Sequence, residues 1–188
     1  MSLLIDRLPD TVMIGGAEVR INSGFRTAVL FEQMMFDEDC PDSMKPGMAL
    51  RLFYPVEPAD IRGALNRLLW FYRCGKEPKL SKGGNGSRCY DFEYDDGYIY
   101  AAFLQQYGID LTFAELHWWQ FNALLNGLTD DCELVRIMGY RTIKISTDMS
   151  ARERQFYSSM KRLYALPRSR SETEKLSEIE EMLMKKEV

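Results

Sequence analysis

The segment FAELHWWQFNALLNG, residues 113–127, constrains the fold more than any other part of this 188-residue chain. Phe113, Leu116, Trp118, Trp119, Phe121, Leu124 and Leu125 cover more than one face of a helix at 3.6 residues per turn. A helix that is apolar nearly all round belongs at the centre of a domain, with other elements packed about it. The pattern Thr112-x-x-Glu115 predicts a capping box at its start, and Gly127 predicts its end.

The elements around that centre read as mainly helical. Near the N-terminus, two β-favouring runs, Thr11–Ile14 and Glu18–Asn22, flank Gly15-Gly16, which predicts a tight hairpin. SGFRTAVLFEQMMFDED predicts a helix capped by Ser23, with Phe25, Val29 and Met35 on its apolar face and Leu30, Phe31 and Met34 widening it. Residues 37–47, DEDCPDSMKPG, read as a loop with at most a short helical turn. From Pro58, Ile61, Ala64, Leu65, Leu68 and Tyr72 recur at helical spacing, with the exit at Gly75. KEPKLSKGGNGSR then reads as a flexible connection.

YDFEYDDGYIYAAFLQQY follows. Its first residues, within CYDFEY, alternate like a short extended segment. Asp95 or Asp96 predicts a helix entrance, Tyr98, Ile99, Ala102 and Phe103 point inward, and the helix runs to Tyr107 and stops at Gly108. Residues 130–138 predict a shorter helix ended by Gly139. Ser150-x-x-Glu153 predicts a second capping box, opening a helix with an inner stripe of Phe156, Met160 and Leu163 that stops before Pro167. The expectation is one mainly α domain over 1–167, with five to seven helices and a small N-terminal β-hairpin. Residues 168–188 form a charged C-terminal helix or tail with a thin seam of Leu176, Ile179 and Leu183.

Composition narrows the function classes. A net charge of −4 gives no broad attraction to nucleic acid or anionic lipid. No apolar run approaches the roughly 20 residues that span a bilayer, and no secretion signal is visible in MSLLIDRLPDTV. The basic stretch Arg152, Arg154, Lys161, Arg162, Arg168, Arg170 reads as a solvated helix face balanced by the acidic run Glu172–Glu181. Neither a nucleic-acid nor a membrane partner is expected.

The chemistry-bearing residues do not assemble into a motif. Cys40, Cys74, Cys89 and Cys132 form no C-x-x-C pair and the chain has one histidine, so a structural zinc site is not expected. Counting a calcium loop from Asp91 places Glu93 and Asp95 correctly, but puts Asp96 where glycine is required and Ala102 where the bidentate glutamate is required. The same carboxylates could supply a hydrolase pair, yet nothing in the sequence places them in a cleft. His117 has no nucleophile motif to serve. In Lys82-Gly-Gly-Asn-Gly-Ser87 the lysine precedes the glycines, the reverse of a phosphate-binding loop. No catalytic, metal or cofactor-binding residues are assigned, and the chain reads as a non-enzyme.

Six segments carry a resemblance: LIDRLPDTVMIGGAEVRINSGFRTAVLFEQMM, LLWFYRCGKE, YDFEYDDGYIYAAFLQQYGIDL, LHWWQFNALLNGL, IMGYRTI and FYSSMKRLYALP. In that order, over about Leu4 to Pro167, they resemble the bacteriophage "gene product fifteen" family. The resemblance implies a phage or prophage tail-morphogenesis protein, a tail assembly chaperone encoded just ahead of the tape-measure protein. It implies the tape-measure and tail tube proteins as partners, a place in the host bacterial cytoplasm and absence from the mature virion. It transfers no catalytic residues. The alternatives are a structural tail component retained in the virion and an enzyme built on the acidic stretch. Leu176, Ile179 and Leu183 are the expected partner-binding residues, and homo-oligomerisation stays open.

Overall fold

In the computed structural model, which describes residues 3–76 and 89–166, Thr11–Ile14 (β1) and Ala17–Arg20 (β2) pair antiparallel with Ile14 opposite Ala17. Only Gly15 and Gly16 separate them, and their φ angles of +55° and +83° suit the type I′ turn that matches strand twist. The side chains alternate as a half-buried strand requires: Val12 and Ile14 are buried, Met13 is exposed. Among the described residues, seven helices follow: Phe25–Phe36 (α1), Lys45–Phe53 (α2), Ile61–Tyr72 (α3), Asp96–Tyr107 (α4), Trp118–Asn126 (α5), Glu133–Thr142 (α6) and Ala151–Leu163 (α7). The protein is mainly α with one small hairpin.

The described chain gathers into two compact units. The first contains residues 3–76 and 115–123, the second 89–114 and 124–166, with α5 passing from one to the other at Ala123. In the first unit, α1 packs on α2, α2 on α3, and α3 on β1. Its core is aromatic. Phe31 meets Phe53 and Tyr72 edge-on, Phe53 meets Phe71, and Phe25 stacks on Phe121 at 4.7 Å. In the second unit, α4 packs on α6 and α6 on α7, around Ile99, Ala102, Phe103, Leu134 and Ile137.

Several local expectations need correcting. The loop read at 37–47 gives way to α2 at Lys45, with Pro46 in the first turn, where its missing N–H costs nothing. Pro58 lies ahead of α3, which Asp60 caps by accepting the Gly63 N–H. Ser23 does not cap α1; Gly24 holds that position, and the Ser23 carbonyl instead accepts the Trp118 N–H at 2.8 Å. CYDFEY is not extended; Phe92–Asp95 form turns. Residue 139 does not end its helix: α6 runs through Gly139 to Thr142. Gly108, at φ +65°, ends α4 as expected. The capping box at Ser150 and Glu153 is present in both directions.

Apolar periodicity also overstated burial. Leu30 is 52% exposed and Phe113 84% exposed. α7 buries no residue: Phe156 is 47% and Leu163 67% exposed. Its stripe is a surface, not an inner face. Among the described residues, no helix is long and apolar enough to cross a membrane.

Candidate functional sites and family membership

His117 stands immediately before α5, in a bridge with Gly24. The expected box at Thr112 and Glu115 is not the cap of this helix. Asp110 Oδ1 accepts both the N–H and the hydroxyl of Thr112, closing a local turn. The cap is made five residues later. His117 Nδ1 accepts the Trp119 N–H at 3.0 Å, while Gln120 Oε1 accepts the His117 N–H at 3.2 Å. That is the reciprocal logic of a capping box, with imidazole and amide in place of hydroxyl and carboxylate. Nε2 lies 3.0 Å from the Pro9 carbonyl, which can only accept, so the proton sits on Nε2 and Nδ1 stays bare. Burial pushes the imidazole below its ordinary value, against the opposing pull of Pro9 and Asp10. His117 is a neutral structural group with both nitrogens engaged.

The tryptophans that follow close another helix. Trp118 Nε1 donates to the Tyr72 carbonyl and Trp119 Nε1 to the Phe71 carbonyl, each at 2.8 Å. These carbonyls belong to the last turn of α3, where carbonyls run past the intrahelical ladder; the Phe71 carbonyl accepts the Cys74 N–H as well. Trp118 is 2% exposed and stacks on Tyr72. The pair thus supplies apolar area and terminates α3 with side-chain donors.

The acidic aromatic stretch is a clasp within the second unit. Asp95, buried at the entrance to α4, meets Arg141 in a two-pronged pair: Nη1 to Oδ2 at 2.6 Å and Nη2 to Oδ1 at 2.9 Å. Arg141 also donates to the Cys89 carbonyl and, through Nε, to the Tyr164 carbonyl. Asp95 Oδ2 further accepts the Asp91 N–H, and Asp91 Oδ1 accepts the N–H groups of Glu93 and Tyr94. One guanidinium therefore ties residue 89, the start of α4, the end of α6 and the exit of α7 together. Asp91 and Asp95 are anchored acceptors, while Glu93 and Asp96 are exposed. Among the described residues, no group of three or more His, Cys, Asp or Glu could hold a metal ion.

The remaining titratable groups are similarly local. Burial raises the Cys74 thiol to about 11 and pushes the Tyr54 hydroxyl, which donates to the Ala64 carbonyl, above its usual range. Beside the hairpin, an open cavity of about 470 Å³ is lined by β1, its turn and one face of α3, including Met13, Gly63, Asn66, Arg67, Trp70 and Arg73. The predicted partner residues Leu176, Ile179 and Leu183, the Lys82–Ser87 run and the acidic tail lie outside the described residues.

No curated protein and no solved structure is detectably similar to this chain. A protein-family model described as Bacteriophage Gp15 protein matches residues 4–166, which contain every described element and the Trp118, Arg141 and His117 arrangements. The chain belongs to the bacteriophage Gp15 protein family.

Proposed function

We propose that this protein is a non-enzymatic tail-morphogenesis factor, a tail assembly chaperone that binds the tape-measure protein and helps recruit tail tube subunits in the host cytoplasm. Family membership over residues 4–166 carries the phage assignment; the chaperone role and its partners are what the resemblance implies. The fate of the chemistry-bearing groups supports a binding role. His117 has both ring nitrogens engaged, and Asp91 and Asp95 accept from backbone and Arg141. Meanwhile α7 leaves Phe156 and Leu163 on its surface. Exposed apolar side chains beside basic ones suit a protein that shields a helical client before the tail tube covers it.

Co-expression with the product of the neighbouring tape-measure gene tests this reading. The expected result is a rise in the soluble fraction of that product; unchanged solubility contradicts it. The family also leaves room for a structural tail component. Mass spectrometry of purified virions separates the two: a chaperone is absent from particles, whereas a component is retained at fixed stoichiometry.

A further inference from the structure

We infer that the open cavity beside the hairpin is a docking site for an acidic peptide segment that carries an apolar side chain next to its carboxylates. This rests on the binding role proposed above and names the chemistry of the partner. Asn66, Trp70 and Arg73 follow one another at helical spacing along α3, and Gly63 and Arg67 lie on the same face. Lys76 extends the row past the helix end. Met13, Ile14 and Gly15 form the facing wall.

Among the described lining residues, Arg67, Arg73 and Lys76 are cationic and none is a carboxylate. Arg67 Nε donates to the Met13 carbonyl at 3.0 Å, which fixes its guanidinium against that wall. Glycine at residue 63 lets the Asp60 cap and Ile14 sit close against the α3 backbone beside the cavity. A Cβ there would run into the Asp60 carboxylate that caps α3 and press on Ile14. Half-buried Trp70 and exposed Met13 provide the apolar part of the lining.

These features select the ligand class. Arginine forks match carboxylate geometry, and an indole with a thioether takes a neighbouring apolar side chain. Small-molecule sites enclose most of their ligand between apolar walls. This cavity is open, with three cationic residues in its lining, so it suits side chains projecting from a segment that stays largely outside.

The test titrates the full-length protein with a synthetic nonapeptide of three Glu-Glu-Leu repeats, followed by calorimetry, beside a second titration with inorganic pyrophosphate. Saturable peptide binding is expected. Arg73→Glu/Lys76→Glu should weaken it by about tenfold or more, the scale of two lost charge-assisted hydrogen bonds. Arg20→Glu/Arg51→Glu makes the same change in net charge at exposed positions outside the cavity, and should leave affinity within about twofold. Lys76→Glu alone repeats the test at a residue past the end of α3. No binding to the wild-type protein, equal losses in both double variants, or cavity-dependent binding of pyrophosphate but not peptide would each overturn the inference. Peptide binding that behaves as expected, alongside no effect on the tape-measure protein, would keep the cavity assignment and remove the chaperone reading.

Discussion

Arg141 shows how one residue can set the architecture of its unit. Its guanidinium reaches Asp95, Cys89 and Tyr164, and both it and Asp95 are buried. Truncation would leave the Asp95 carboxylate buried without its cation, which typically costs about 3–5 kcal/mol. Arg141→Ala should therefore lower the urea midpoint sharply, while Arg152→Ala, at an exposed position on α7, should move it by no more than about 0.5 kcal/mol. The sequence carried an unused signal for this pair. Leu134, Ile137 and Arg141 share one face of α6, and an arginine on an apolar stripe asks for a buried carboxylate. The role of His117 as a helix cap was not visible in the sequence. Its partners, Pro9 and the Trp119 amide, depend on where the chain returns in space. Because burial holds its folded-state value below 6.5, the unfolded chain binds the proton more readily. The contribution of His117 to stability is thus complete above about pH 6.5 and is lost as pH falls toward the folded value. Urea melts between about pH 7.5 and 5.5 should show this decline, and His117→Asn, which keeps a cap acceptor without titrating there, should flatten it.

At the scale of elements, periodicity located most helices and misjudged what covers them. α1, α3, α4 and the capped start of α7 lie close to the spans that apolar spacing and capping predicted. α2 was hidden because Pro46 and its polar neighbours resemble a loop, although Lys45, Ala49, Leu50 and Phe53 form its buried face. The start of α5 was misplaced because a familiar Thr-x-x-Glu pattern outcompeted His117-x-x-Gln120. The HWW segment was rightly read as central, but a one-dimensional pattern cannot show which carbonyls an indole will reach. Trp119→Phe keeps most of the ring while removing one of the donors to the Phe71 carbonyl, which still accepts the Cys74 N–H, and should cost about 0.5–1.5 kcal/mol. Trp118→Ala also removes a stacked, buried ring, and should cost about 3–5 kcal/mol. α7 provides the opposite expectation. Phe156→Ser/Leu163→Ser should change thermal stability little, since both side chains are already exposed.

On the scale of the whole molecule, the chain places its most distinctive residues where they hold the fold. Trp118, Trp119, Asp91, Asp95 and Tyr72 are buried, and they lie among the segments that made the family recognisable from sequence. That is why the family could be read from sequence and a site could not: these side chains record packing requirements. The surfaces proposed for recognition are the basic cavity beside the hairpin, the open stripe of α7 and the seam Leu176, Ile179 and Leu183 expected from the sequence, which lies outside the described residues. Replacing the three seam residues by serine should weaken capture of a partner while thermal stability barely changes; a large stability loss would mark the seam as core. The most direct test of the proposed assembly role is affinity capture of the full-length chain after co-expression with the tape-measure protein of the same phage or prophage. The account predicts a soluble complex of the two proteins that survives size-exclusion chromatography. A tape-measure product that remains insoluble, with this protein eluting alone, would contradict it.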